Sequence, residues 1–253
     1  MYAVITGASS GIGRELALLL AKKGCNLVLV ARRRERLEKM KKELESRFSI
    51  TVEPYVCDLS DRKACLALCE KYQDYPVEIL VNGAGFGKIG YITEVPLEEQ
   101  LSMIDTNVAA LHILSRQFAK QMEKGYILNI ASIASFQPGA FLATYGATKA
   151  YAASFSMALG YELKKQNKNI SVTTLCPGPV DTEFHRVAGT SFSLPSISAR
   201  ECAKEGLHGM FRKKRLVIPS LTTKVSYLAV KFSPLDIVIP MTYQIQKSKV
   251  KDF

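Results

Sequence analysis

The chain has no tryptophan, only three histidines and only six cysteines in 253 residues. The cysteines form no Cys-x-x-Cys pair and are too sparse for a disulfide scaffold. Their unpaired pattern fits a reducing compartment. His112, His185 and His208 stand away from cysteines and carboxylates at ligand spacing, so no metal site is expected. Long apolar runs are missing too. The most apolar late stretch, residues 225–243, is interrupted by Lys231, Pro234, Asp236 and Pro240, too broken to span a bilayer comfortably. No basic and apolar leader precedes the first strand-like run, and a cytoplasmic location is expected. Acidic residues are in deficit, 23 against 34 Lys and Arg, for a net charge of +11. The positive charges are dispersed, as where Lys39, Lys41 and Lys42 alternate with Glu35, Glu38, Glu43 and Glu45. The densest basic run, residues 212–215, is short and has no interleaved aromatics, so no nucleic-acid partner is expected.

What remains is ordinary soluble usage, 47% hydrophobic and 23% charged, in a chain long enough to fold without disulfides or metal. Residues 2–6 read as a short strand. Gly7, Gly11 and Gly13 follow at GxxxGxG spacing, and a helix starts at once. This strand, glycine turn and helix suit a dinucleotide: the glycines let backbone approach a pyrophosphate, and the helix N-terminus supplies amides. Residues 26–31 form a second strand that ends on Ala31, where an acidic residue for a ribose 2'-hydroxyl is expected. Arg32, Arg33 and Arg34 come next. Arginine there pairs with a 2'-phosphate, with Arg32 the first candidate, Arg33 the second, and Arg14 a third from the first helix.

Apolar strands and helices continue to alternate, with strands at 50–56, 77–82, 126–131 and 170–176 and a last short one at 216–218. Helices are expected at 61–72, at 97–102, from Asn107 to about 122, and at 145–165. Strict alternation implies an α/β, Rossmann-type doubly wound, mostly parallel sheet of about seven strands flanked by helices. No linker divides it. We read residues 1–253 as one domain: 1–176 mainly a cofactor-binding core, 177–218 a substrate-side lid, helix and last strand, and 219–253 a C-terminal extension. Residues 189–198 are small, polar and proline-punctuated, as a mobile lid would be. Ser198 and Glu201 make a capping box for a following helix.

These residues in this order resemble the short-chain dehydrogenase/reductases over residues 2–218. Thr6-Gly7-Ala8-Ser9-Ser10-Gly11-Ile12-Gly13 is similar to their cofactor motif. Asn82-Gly83-Ala84-Gly85 is similar to a second motif, with Gly83 where another asparagine is commoner. Asn107, Ser132, Tyr145 and Lys149 resemble the catalytic tetrad, and Pro177, Gly178 and Thr182 the segment after the sixth strand. The resemblance implies NADP or NAD as cofactor, with Ala31 and its arginines favouring NADP. It assigns cofactor contacts to Gly7, Ser9, Ser10, Gly11, Ile12, Gly13, Arg14, Arg32, Arg33, Asp58, Leu59, Asn82, Gly83, Ala84, Tyr145, Lys149, Pro177, Gly178, Val180 and Thr182. Asp58 would meet the adenine edge, Asn82 the adenine ribose, and Thr182 the nicotinamide carboxamide. Asn107 would position a water for a proton relay through Lys149.

The chemistry also follows from the residues. Tyr145 and Lys149 lie four apart on one helix face. A nearby ammonium is expected to lower the phenol pKa, letting Tyr145 exchange a proton with a carbonyl or alcohol oxygen that Ser132 holds. Cys176 reads as packing rather than a nucleophile. Phe86, Ile133, Phe136, Phe141 and Phe184 suggest a partly apolar pocket, with His185 and Arg186 nearby. The expectation is an NADP(H)-dependent carbonyl reductase on a small or lipid-like molecule, acting as a homodimer or homotetramer. Alternatives are a membrane-surface reductase of acyl or lipid ketones, an NAD-dependent alcohol dehydrogenase and, least favoured, a non-catalytic nucleotide-binding regulator. Weak peripheral membrane contact through the C-terminal segment is a further possibility.

Overall fold

The structure is a computed structural model that describes residues 1–189 and 196–249, with backbone alone at 185 and 186. The apolar runs form β1 (Tyr2–Thr6), β2 (Asn26–Ala31), β3 (Val52–Val56), β4 (Val77–Asn82), β5 (Lys124–Ile130) and β6 (Asn169–Leu175). Between them lie α1 (Gly11–Ala21), α2 (Arg34–Arg47), α3 (Arg62–Lys71), α4 (Leu97–Ile104), α5 (Leu111–Gln121) and α6 (Ala143–Lys165). After β6 come β7 (Val180–Asp181), α7 (Phe184–Ala188), β8 (Ile197–Ser198), α8 (Ala199–Phe211) and β9 (Leu216–Val217). Two helices, α9 (Leu221–Phe232) and α10 (Leu235–Lys247), end the described chain.

Seven strands make one sheet in the order β3-β2-β1-β4-β5-β6-β9, and each neighbouring pair is parallel. Alternate residues of a strand face opposite sides, so both sides need cover. Ala3, Ile5, Leu27 and Leu29 pack with Leu16, Leu37 and Leu207 of α1, α2 and α8. Val4, Val28 and Val30 pack with Leu68, Phe118 and Leu163 of α3, α5 and α6. The winding direction reverses between β1 and β4, which opens a crevice at their C-terminal ends, the usual ligand position in open α/β sheets.

One local reading changes, one stretch given no element by the sequence is helical, and one expectation falls mostly outside the described residues. The helix expected to start at Asn107 is instead continuous with α4, because residues Asp105–Ala110 form a π-helical turn between α4 and α5. The C-terminal stretch is helical despite its prolines. Pro234 is the N-cap of α10, where a missing N–H costs nothing, while Pro240 lies inside it. Of the segment expected to form a lid, residues 190–195 lie outside the described residues, and its flanks are held by the short parallel pair β7–β8.

A buried polar chain crosses the core between β4, β5, α5 and α6. Asn82 Nδ2 donates to Ser115 Oγ at 2.9 Å and to Asn129 Oδ1 at 2.8 Å, and Asn129 Nδ2 donates to Ser156 Oγ at 2.8 Å. Removing its centre leaves buried donors without acceptors. Asn129→Ala should therefore lower unfolding free energy by about 1–3 kcal/mol, measured by urea titration, with a smaller loss for Ser156→Ala at its end.

Candidate active site

The glycine turn is built by exclusion. A Cβ on Gly7, at φ +68°, would lie 2.7 Å from the Gly83 carbonyl and 2.8 Å from Ala84 N. One on Gly13 would strike the Gly7 carbonyl, and one on Gly83 would lie 2.7 Å from Thr6 O. Thr6 Oγ1 fastens the junction by donating to Val81 O at 3.2 Å and accepting from Gly83 N at 3.0 Å and Ala84 N at 3.2 Å. The close Thr6 carbonyl explains glycine at 83, where asparagine is commoner. Ser10, the N-cap of α1, makes no side-chain cap, so the first amides of the helix face the crevice. A cradle without side chains beneath a helix N-terminus fits the pyrophosphate of a dinucleotide.

One cavity of about 440 Å³ runs from this cradle to the C-terminal ends of β5 and β6. Its wall includes Gly7, Ser9, Ser10, Gly11, Ile12 and Gly13, then Arg32, Arg33, Asp58, Leu59, Gly83 and Ala84. At the far end stand Ser132, Tyr145, Lys149, Pro177, Gly178, Val180 and Thr182. Asn82, Asn107 and Arg14 are absent from that wall. The Asn82 side chain turns into the polar chain of the core, away from any ribose. Arg14 turns outward to Glu15 at 3.1 Å and Glu43 at 3.4 Å, which removes it from the phosphate role expected of it. Asn107 sits behind the wall in the π-helical turn. Its amide accepts from Phe86 N at 3.1 Å and donates to Phe86 O at 2.9 Å and Thr148 Oγ1 at 3.0 Å. It therefore clamps the loop after β4 to α6, and π-turns recur at such sites.

The two arginines differ in their partners. Arg32 is 70% exposed, and among the described residues its ion pair is with Asp58, at 4.0 Å. Burial raises the Asp58 pKa, but hydrogen bonds from Ser60 and the Arg32 charge outweigh it and leave the pKa lowered. Arg33 lies across the glycine turn, donating to Ser9 Oγ at 2.9 Å and Ser10 Oγ at 2.8 Å, and pairs with Glu183 at 2.7 Å. Arg36 binds the same carboxylate at 2.9 Å. Hydrogen bonds from Arg33 and Arg36 hold the Glu183 pKa down at about 2. Glu183 escaped the sequence reading because it is 150 residues from Arg33 and belongs to no motif.

At the chemical end, Ser132 starts a capped 3-10 turn, and its hydroxyl accepts from Ala134 N at 3.1 Å. Lys149 Nζ donates to Ile130 O at 2.8 Å and lies 5.8 Å from the centre of the Tyr145 ring. Both side chains are buried, which corrects the expected sign for Tyr145. Burial pushes its pKa up to about 12, against the lowering effect of a Ser132 hydrogen bond. Burial also pushes Lys149 down to about 8. Gly85 and Gly87 were not marked as site residues but make room here. A Cβ on Gly85 would lie 2.9 Å from Asn107 Oδ1 and 3.3 Å from Lys149 Nζ, and one on Gly87 would lie 2.9 Å from Tyr145 Cδ2. Cys176 is fully buried and its thiol is pushed up to about 12, as packing requires.

Phe86, Ile133 and Phe184 line the cavity with Ile89, Leu142 and Val187. Phe136 and Phe141 do not. Their rings pack on Tyr227 at 4.6 Å and Tyr243 at 5.9 Å, so they seat the C-terminal helices. Those helices return Gln246 and Lys249 to the cavity wall, a contribution that no sequence motif announced. The side chains of His185 and Arg186 lie outside the described residues.

The Lys149 shift has a consequence for stability. The unfolded lysine keeps its proton up to about 10.5, whereas the folded one releases it near 8. The unfolded state thus binds more protons between these values, and stability rises with pH through that window. Tyr145 acts oppositely above pH 10, where the unfolded chain loses protons that the folded phenol keeps up to about 12. Urea unfolding at about pH 7 and about pH 9.5 should show the rise in the parent and its loss in Lys149→Met.

Comparison with known proteins agrees with this geometry. The family model described as short chain dehydrogenase matches residues 1–191. The chain is 34% identical over 224 residues to "Hydroxysteroid dehydrogenase-like protein 1" of Gallus gallus, covering 85% of this chain and 66% of that one. It is 36% identical over 205 residues to "Very-long-chain 3-oxoacyl-CoA reductase" of Laccaria bicolor, covering 78% and 60%. The chain thus spans less than two thirds of the length of both relatives. A short-chain dehydrogenase from Sphingobium yanoikuyae, solved in complex with NADPH, superposes with a TM-score of 0.83 at 30% identity, covering 99% of this chain and 96% of that one. With the family model matched over most of its length and a parallel seven-stranded sheet around the glycine cradle, the chain belongs to the short-chain dehydrogenase family.

Proposed function

We propose that the protein is an NADP(H)-dependent reductase of ketones or aldehydes with a partly apolar body. The observation that carries this reading is the meeting of Ser132, Tyr145 and Lys149 in the same cavity as the glycine cradle. When bound, the nicotinamide dinucleotide supplies the hydride. Ser132 holds the substrate oxygen by hydrogen bond, and Tyr145 gives that oxygen a proton. A phenol with a raised pKa carries its proton throughout the neutral range, which suits the reducing direction. Lys149, pushed down to about 8, exchanges protons near neutrality and is suited to resupply the phenol and to hold the nicotinamide ribose. Asn107 orients the loop over this pair rather than touching the reacting atoms.

The substrate class rests on the apolar wall of Phe86, Ile133, Phe184 and their neighbours. The Laccaria relative, whose name describes reduction of a long 3-oxoacyl chain, supports an extended apolar ketone. The cofactor preference rests on Ala31 at the end of β2 and on Arg32 and Arg33 in the cavity wall. The Sphingobium structure contains NADPH, which favours the same choice.

Tyr145→Phe should retain cofactor affinity while turnover of a ketone falls roughly 10²- to 10⁴-fold. Unimpaired turnover would remove Tyr145 from the mechanism. Cofactor choice is read by titrating NADPH and NADH separately against the parent, Arg32→Ala and Arg33→Ala. Loss of one charge-assisted hydrogen bond should weaken NADPH about ten- to a hundredfold, with little change for NADH. Glu183→Gln should have the opposite effect, because it frees Arg33 and Arg36 for a 2'-phosphate. Tighter NADH than NADPH binding by the parent would defeat the NADP assignment.

A further inference from the structure

On α9, Leu221, Val225, Leu228 and Phe232 recur at i, i+4, i+7 and i+11, the spacing of one helix face. All four are exposed, Leu221 at 76% and Phe232 at 79%. On α10, Ile237, Met241 and Ile245 repeat at i, i+4 and i+8, again exposed, beside Leu235 and Ile239. The opposite faces are the anchored ones. Thr223 packs against Gly178, where a Cβ would meet its hydroxyl at 2.5 Å. Tyr227 packs on Phe136, Val238 is fully buried, and Thr242 Oγ1 donates to Pro138 O at 3.2 Å. The hydroxyls of Tyr91 and Tyr243 lie 2.7 Å apart. The two helices therefore hold to the domain by a mixed face and turn an apolar one outward, the reverse of an ordinary surface helix. Exposed apolar helix faces of this kind mark an interaction site.

Charge selects the occupant. Residues 219–249 contain Lys224, Lys231, Lys247 and Lys249 against a single acid, Asp236. Lys231 Nζ lies 5.8 Å from the Phe232 ring centre, and Lys247 Nζ lies 5.7 Å from that of Tyr243, ammonium groups at the margin of apolar side chains. Two copies joined through this face by a twofold axis would bring one lysine set against the other. An anionic surface complements them. No described helix is long and apolar enough to cross a membrane, so the arrangement suits lying on a bilayer.

We propose that α9 and α10 form a docking surface for an anionic lipid bilayer, with Leu221, Val225, Leu228, Phe232, Ile237 and Met241 entering the acyl boundary and Lys224, Lys231 and Lys247 meeting the headgroups. Gln246 of α10 and Lys249 just beyond the helix line the catalytic cavity, so docking sets the cavity mouth beside the lipid. The docking claim stands on the helices alone and does not depend on the reductase reading.

The test is flotation of the full chain with vesicles of phosphatidylcholine alone and of phosphatidylcholine mixed with phosphatidylglycerol. The parent should float with the anionic vesicles, more weakly with the neutral ones, and less at high salt. Leu228→Ser with Phe232→Ser should reduce flotation roughly tenfold or more. Lys224→Glu with Lys231→Glu should abolish the preference for anionic vesicles. The changed side chains are exposed and outside the cavity wall, so an unchanged thermal melt certifies the fold of each variant. Failure of the parent to float, or equal flotation of a folded Leu228→Ser/Phe232→Ser variant, overturns the proposal. So does sedimentation in which this double variant splits a dimer of a parent that binds no vesicles, which would assign the face to a second copy.

Discussion

Three segments of backbone meet at Gly7, Gly13 and Gly83 with no space for a Cβ on any of them. The rest of the molecule depends on that close approach. It draws the end of β1, the start of α1 and the loop after β4 into one junction, which Thr6 secures with a single hydroxyl. Because the junction falls where the winding of the sheet reverses, it leaves a crevice lined by peptide groups at one end. The same loop, two residues further on, lets Asn107 and Lys149 converge over Gly85. Cofactor cradle and proton-handling groups are thus positioned by one stretch of chain, and an added side chain at its centre would displace both.

The acid–base pair shows how burial can override proximity. A lysine one helical turn from a tyrosine is expected to stabilise the phenolate. In the folded protein both groups are removed from water, and the cost of carrying charge there keeps Tyr145 protonated and makes Lys149 a weak cation. Near neutrality the phenol keeps its proton, and Lys149 is still mostly charged but close to releasing its own. Glu183 behaves differently: it is partly exposed and held ionised by two guanidinium groups. Charge is fixed at the outer rim of the cavity and titratable at its reactive end.

The sheet was legible because each strand is a short apolar run bounded by polar or glycine-rich turns, and β4 (Val77–Asn82) matches its expected span residue for residue. Spacing also placed Ser132, Tyr145 and Lys149 together, since two lie on one helix and the third caps the turn that follows β5. What spacing could not give is direction. Asn82 and Arg14 belong to the expected motif, yet their side chains turn to partners on other elements. The path of the chain into α2 aims Arg33 back over Ser9, while Arg32 stays exposed beside Asp58. The π-helical turn at Asn107 carries no local signature, and the prolines concealed α10. Phe136 and Phe141 had the composition of a pocket wall and became the seat of the last two helices instead.

The ion pair between Arg33 and Glu183 joins residues 150 positions apart. It also relates the molecule to the order of its own synthesis. The glycine turn is made well before the acid that engages Arg33, which leaves the ribosome only after the strands β1 to β6 have been made. The sheet grows outward from its centre, with β1 waiting for β4, seventy-odd residues later, and β6 for β9. Contacts of such long range form slowly. The rim of the nucleotide crevice at Arg33 is therefore completed only after β6 has been made.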